Sequence, residues 1–206
     1  MTPEHVDSLA RATLAHGLIQ LAVHFPRELE SMSLSVPEAL ERALTLAEDA
    51  IGRAPELPDG YVALGRLLLC HDSADALDDA IEVLSHALSL DPEHDGAEIA
   101  LAAALRERGA HDLALTHVEH VLKRGSGQAQ VAVLRALLLM DTGHVDEARR
   151  DMDRAIRIAP QAGLIQLDAA RVHAAQGDTD GAAELEERAH SLLGSAFAVA
   201  RRALSR

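Results

Sequence analysis

A 34-residue period runs through most of this chain and constrains its fold more than any other feature. Three prolines close similar segments, and each follows three small or medium residues at one fixed spacing. The sets are Ala43, Ala47, Ala50 and Pro55; Ala80, Leu84, Ala87 and Pro92; and Ala148, Met152, Ala155 and Pro160. Residues three and four apart share one helical face, and proline cannot continue a helix. The pattern therefore predicts a repeated helix with a narrow face of small side chains.

Two further copies of the pattern lack the proline. They are Ala114, Val118, Val121 and Ser126, and Ala182, Glu186, Ala189 and Gly194. The closing positions 55, 92, 126, 160 and 194 are thus separated by 37, 34, 34 and 34 residues. Gly109, Gly143 and Gly177 have the same spacing of 34, about one helix before a closing residue. At these glycines we expect left-handed turns between paired helices.

Each unit also begins with a first helix. One reads Tyr61-x-x-Leu64-Gly65-x-x-Leu68, and Leu18-x-x-Leu21-Ala22-x-x-Phe25 fits the same pattern. With these residues the chain resembles the tetratricopeptide repeat (TPR) family, whose 34-residue unit pairs a W-x2-L-G-x2-Y helix with an A-x3-F helix ending near proline. The resemblance covers roughly residues 15–194, although no unit has tryptophan and residues 27–36 form an insertion.

The resemblance implies an all-α, right-handed superhelical solenoid of about five helix-turn-helix repeats. We expect one domain over residues 1–206. Its repeats fall at about 5–56, 57–94, 95–128, 129–162 and 163–194, and a capping helix follows at 195–206. Phe197, Ala200 and Leu204 recur at helical spacing in that last segment, with arginines near its end. Terminal repeats need such a cap.

Charge and apolar content indicate which classes of partner and which compartment to expect. The net charge of −14 repels phosphate backbones, so nucleic acid and anionic membranes are not expected as partners. The early uncharged stretch, residues 12–26, is shorter than the roughly 20 apolar residues of a membrane span. The start of the chain lacks a secretory-signal pattern, and Cys70 is the only cysteine. These features favour a cytoplasmic protein without membrane insertion.

Residues that could carry chemistry are few and do not combine into a site. Cys70 and His71 are adjacent, and neighbouring residues of a helix do not face each other. His117 and His120 share a helical face but supply only two metal ligands, whereas a stable zinc site needs three or four. We therefore expect no enzymatic activity, no catalytic residues, no metal and no cofactor.

The resemblance implies that one stripe of each first helix lines a concave groove that binds partner proteins. The predicted groove residues are Val62, Arg66, Leu69, Ile99, Ala103, Arg106, Val133, Leu137, Met140, Leu167 and Arg171. The segment 131–140 is apolar on almost every side, and a helix of that kind must be covered all round. Its own partner helix and the next unit cover two sides, which leaves a third for another occupant.

The leading hypothesis is a protein–protein interaction module, a scaffold or chaperone-like adaptor that binds an amphipathic helix or an apolar peptide segment. The alternative is a homo-oligomeric assembly protein that uses the same apolar face on its own copy. The insertion at 27–36 is a third possible occupant of the groove. The mostly aliphatic lining argues against a clamp for the acidic C-terminus of a chaperone. Arg66, Arg106 and Arg171 could bind acidic side chains that flank an apolar anchor.

Overall fold

A computed structural model describes residues 2–71, 73–125, 128–194, 197 and 201, and within them it contains eleven α-helices and no strand. In chain order these are α1 (Pro3–His24), α2 (Pro26–Ser31), α3 (Val36–Arg53), α4 (Pro58–Leu68), α5 (Ala74–Leu90), α6 (Asp95–Glu107), α7 (His111–Arg124), α8 (Gln128–Asp141), α9 (Val145–Ile158), α10 (Gly163–Ala175) and α11 (Thr179–Leu193). The prediction of an all-α fold is confirmed. No helix in the described ranges is both long and apolar enough to cross a bilayer.

The chain divides into two compact units, Met1–Gly109 and Ala110–Arg206. In the first unit, α1 packs on α3 and α4, α4 packs on α5, and α5 packs on α6. One of its clusters is built mainly from small residues, because alanines of α1 such as Ala12 and Ala15 meet Ala43, Ala47 and Ala50 of α3. Small side chains let the helix axes approach closely.

In the second unit each helix from α7 to α10 packs on the helix that follows it. The stripe Ala148, Met152 and Ala155 of α9 is fully buried. Its members Ala148 and Met152 share a cluster with residues of α8 and α10 such as Ala136 and Val172. The face of small side chains predicted from the period is therefore core, as expected.

The predicted helix stops and turns are confirmed. Helices α3, α5 and α9 each end two residues before the prolines at 55, 92 and 160. Gly109, Gly143 and Gly177 have φ values of 81°, 82° and 80°, which is the left-handed region. Glycine enters this region without the steric penalty that other residues meet.

The insertion at 27–36 contributes to the core of the first unit. It contains α2, and Leu29 and Leu34 pack with Ala22 of α1 and Ala39 of α3 in one buried cluster. This segment therefore covers the ends of α1 and α3. The predicted capping helix at 195–206 lies mostly outside the described residues, and Phe197 packs against the cluster that contains Leu167. The single domain with five repeats stays a prediction.

Candidate functional site

The predicted groove residues are mostly half-buried. Two are buried: Val62 is 6% exposed and Leu167 is 2% exposed. The others are half-buried, namely Leu69, Ile99, Ala103, Val133, Leu137, Met140, Arg66, Arg106 and Arg171. They lie in both compact units.

In the first unit, Val62 and Arg66 of α4 line a surface cavity of about 160 Å³. Helix α1 contributes His16 to its wall, and Asp59 and His94 stand at or next to the starts of α4 and α6. Apolar side chains such as Ala12 and Ala63 complete it. The cavity thus combines one arginine, two histidines and one carboxylate with an apolar lining.

Within the described residues, Arg66 makes hydrogen bonds only to neutral groups. Its Nη1 lies 2.9 Å from Nδ1 and 3.1 Å from Nε2 of His16, and its Nη2 donates to the Gly96 carbonyl oxygen at 3.3 Å. Burial lowers the pKa of the Arg66 guanidinium, which still stays charged in proteins. Burial, and then the charge of Arg66, lowers the pKa of His16. A neutral imidazole has the lone pair that this contact requires.

Asp59 and His94 are paired on the same wall. Nδ1 of His94 accepts a hydrogen bond from the Ala97 backbone N–H at 3.0 Å, so His94 caps the start of α6. Its Nε2 lies 3.4 Å from Oδ1 of Asp59. This contact raises the pKa of His94 and lowers the pKa of Asp59. Asp59 is the only carboxylate that the described residues contribute to the cavity, and it is therefore already paired with His94.

Leu69 lies at a different place in the first unit. It lines a second cavity of about 270 Å³ with His71, Leu77 and Glu107. The cavity that contains Val62 and Arg66 does not include it. The structure thus brings the predicted residues Val62 and Arg66 of α4 to one cavity and Leu69, which directly follows α4, to another.

Cys70 follows Leu69 and is half-buried. Its thiol donates to the Arg66 carbonyl oxygen at 3.4 Å, and burial, with a smaller effect from Glu107, raises its pKa. A raised pKa disfavours the thiolate, which is the reactive form. This environment is that of a packing residue.

In the second unit, α8 carries the apolar stripe predicted for the groove. One side of the helix is core, formed by Val131, Leu134, Leu138 and Leu139. The predicted stripe of Val133, Leu137 and Met140 packs only partly against the neighbouring cluster and keeps part of its surface open. These residues are four and three apart and therefore share one face.

The predicted residues of α10 have different roles. Leu167 packs with Ala189 of α11 in the core of the unit. Arg171 lies 3.6 Å from the largely buried carboxylate of Asp168 one turn earlier, so its charge is partly neutralised within α10. Neither residue offers as open an apolar surface as the α8 stripe.

The polar residues that line the cavity beside Arg66 could not be identified from the sequence. His16 belongs to the first repeat, where the insertion breaks the period that would align α1 with α4. Asp59 and His94 occupy helix starts, where polar residues are common as caps. The only sequence feature that pointed to Asp59 and His94 was their position near the beginning of successive first helices.

Paired helices joined by left-handed glycine turns, with half-buried stripes on the first helix of each pair, define an all-α helical-repeat protein. A family model described as “Tetratricopeptide repeat” matches residues 133–196, and a second with the same description matches residues 73–138. Together they run from residue 73 to residue 196, more than half of the chain. The chain belongs to the tetratricopeptide repeat family.

Solved structures of this family are similar over most of the chain. A thermophilic TPR protein of Thermus thermophilus has a TM-score of 0.68 at 20% identity, covering 88% of this chain and 98% of its own. MamA from Desulfovibrio magneticus RS-1, from residue 41 onward, has a TM-score of 0.59 at 20% identity, with 90% and 96% covered. YrrB, described as a TPR protein with an unusual peptide-binding site, has a TM-score of 0.54 at 18% identity, with 90% and 91% covered. At these identities the similarity shows the fold alone. No curated protein sequence matches this one.

Proposed function

We propose that this protein is a scaffold or chaperone-like adaptor that binds an amphipathic helix or apolar peptide segment of another protein. The TPR fold is that of a protein–protein interaction module. The observation that carries the proposal is the half-open stripe of Val133, Leu137 and Met140 on α8. YrrB has a peptide-binding site on the same fold, which supports a peptide as the ligand.

The chemistry of the stripe fits an apolar ligand. Its three side chains present no hydrogen-bonding groups, so contact with a polar ligand would leave the ligand's donors and acceptors unsatisfied. Completing the burial of a half-buried aliphatic side chain is worth about 1 kcal/mol, and association costs oppose the sum. We therefore expect the three residues alone to bind weakly, with further contacts supplying the rest of the affinity.

An amphipathic helix matches this stripe geometrically. Its own apolar residues at positions i, i+4 and i+7 form a strip of the same length as the one on α8. Such a partner would bring apolar atoms to the stripe and keep its polar face toward solvent. We assign no reaction to this surface, because an aliphatic stripe supplies neither a nucleophile nor an acid or base.

Substitution on the stripe tests the proposal. In pull-downs from native cell extract, we expect Leu137→Glu and Val133→Glu to lose the partner that the wild-type chain retains, because a carboxylate would be buried at the contact. The matched control is Leu113→Glu on α7, a leucine that is 59% exposed and does not belong to the stripe. Far-UV circular dichroism checks the helical content of every variant. Retention of the partner by both stripe variants would exclude this surface.

A homo-oligomeric assembly protein is the second candidate function. Helix α1 packs on α3 and α4 with one side and exposes Val6, Leu9 and Leu14 elsewhere, Leu14 being 61% exposed. Several exposed apolar side chains on one helix favour association. Light scattering over a concentration series separates the candidates, since a monomer at every concentration rules out the oligomer. Loss of association in Leu14→Glu would place its contact on α1.

A further inference from the structure

Arg66 differs from several other arginines of the first unit in the groups that it contacts. The sequence has 33 acidic and 19 basic residues, so carboxylates are abundant. Arg11, Arg53 and Arg108 of the same unit pair with aspartates at 2.6–3.1 Å near the surface. Arg66 is more deeply placed, yet among the described residues its contacts are to an imidazole and a carbonyl oxygen. A buried charge is costly when no opposite charge faces it.

Arg66 lines the cavity and has more hydrogen-bond donors than the described residues accept from. A guanidinium has five N–H donors in a planar fork. One contact to the His16 ring and one to the Gly96 carbonyl leave three of them without a partner in the described parts of the chain. The fork matches a carboxylate with two parallel hydrogen bonds. Asp59 does not fill this role, because its carboxylate contacts His94.

We propose that the cavity lined by His16, Val62 and Arg66 in the first unit receives the carboxylate of an Asp or Glu side chain of a partner protein. This inference rests on the proposed function and specifies the chemistry of the partner. The partner would present an acidic residue to the first unit, and Arg66 would bind that residue.

The size and lining of the cavity suit a side chain. Its volume of about 160 Å³ compares with the roughly 150 Å³ of an engineered cavity that binds benzene, so a Glu side chain fits. Ala12, Val62 and Ala63 offer apolar contact to its methylene groups. A chain-terminal carboxylate would also present its backbone amide, and in the described parts of the chain no Asn or Gln side chain lines the cavity to bind that amide. The side chain is therefore the better ligand.

Blocked amino acids test the inference directly on the full chain. We would titrate it with N-acetyl-glutamate N-methylamide and follow the Arg66 Nε–H and Gly96 amide signals by NMR. Both signals should shift in a saturable manner, and the glutamine analogue should leave them unchanged. N-acetyl-alanine, which has only a terminal carboxylate, should bind more weakly. Equal shifts with the glutamine analogue, tighter binding of N-acetyl-alanine, or no shift with any probe would overturn the inference.

Variants connect the signal to Arg66. Arg66→Gln should weaken binding of the glutamate probe by roughly tenfold or more, because hydrogen bonds between charged groups are stronger than neutral ones. Arg66→Lys keeps the charge without the fork and should bind with intermediate affinity, which covers the case in which the glutamine variant misfolds. Arg53→Gln removes an arginine that is ion-paired to Asp7 and should bind like wild type. Equal binding by wild type, Arg66→Gln and Arg66→Lys would refute the role of Arg66.

Failure of the acidic-residue pocket can be distinguished from failure of the proposed function. Partner capture through Leu137 depends on α8 in the second unit, and the glutamate titration depends on Arg66 in the first. Loss of capture in Leu137→Glu with no effect of the glutamate probe would leave the interaction module intact and reject the acidic-residue pocket.

Discussion

At the residue scale, Gly65 shows how closely the helices of the first unit pack. A Cβ atom added to this glycine of α4 would lie 2.5 Å from Cγ of Leu84 on α5. Leu84 is fully buried, so the atoms packed around its side chain restrict its movement. The family resemblance places a small residue here, and the contact with Leu84 supplies the physical reason. The close packing of α4 on α5 at this point therefore requires a residue that has no Cβ atom.

Gly65→Ala should destabilise the protein by about 1–3 kcal/mol, the usual cost of overpacking a core. Gly17 of α1 provides the matched control, because a Cβ there meets nothing within 4 Å. Gly17→Ala should stabilise the helix by up to about 1 kcal/mol through propensity alone. Urea unfolding followed by circular dichroism measures both changes. An unchanged or increased stability of Gly65→Ala would show that Leu84 yields more easily than the packing indicates.

The contact of His16 with Arg66 makes stability depend on pH. Burial and the arginine lower the pKa of His16 below its ordinary 6.5, which the unfolded chain retains. As the pH falls through 6.5, the unfolded state therefore takes up the proton first and the free energy of unfolding decreases. His16→Asn should lose less stability than wild type between about pH 7 and pH 5. Urea midpoints across this range provide the measurement, and parallel curves for the two proteins would contradict the account.

At the scale of elements, the caps determine where the helices start. Helix α3 begins after Ser35, whose hydroxyl accepts from the Glu38 backbone N–H at 3.4 Å, while the Glu38 carboxylate accepts from the Ser35 N–H at 2.9 Å. This reciprocal arrangement satisfies two donors that a helix start would otherwise leave unpaired. It matters here because α3 follows the insertion directly, where the repeat period no longer defines the helix boundary.

Ser35→Ala should therefore cost about 0.5–2 kcal/mol, the usual effect of removing a helix N-cap. Ser85→Ala is the matched control, because Ser85 lies inside α5 and its exposed hydroxyl only donates to the Ile81 carbonyl. We expect that control to change stability little. Thermal unfolding of both variants checks the difference, and equal melting temperatures for the two would mean that the cap does not stabilise α3.

At the scale of the whole molecule, the sequence predicts the helices well and the polar contacts poorly. The spacing of Pro55, Pro92 and Pro160 identifies helix ends because proline acts locally. The contact of Arg66 with His16 joins residues 50 positions apart, and it depends on how α1 lies against α4. No local rule fixes that register once an insertion interrupts the repeat. The insertion itself was visible as extra residues, but its short helix α2 was not predicted.

The apolar stripe on α8 could be predicted from the sequence in part. The unbroken run of apolar residues in 131–140 predicts a helix that needs cover on several sides, and the structure buries most of that run. Which side stays open depends on where α9 and α10 pack, because Val133, Leu137 and Met140 meet the cluster that those helices share. Under the proposed function, a partner protein completes the cover of this stripe.

Site-specific photocrosslinking tests that claim most directly. A benzophenone amino acid would replace Leu137 on the stripe in one variant and the exposed Leu113 of α7 in another. After irradiation in native extract, we predict a discrete adduct with a second protein from position 137 and none from position 113. An adduct from position 113 alone, or a position-137 adduct formed only with a second copy of this chain, would contradict partner binding on α8.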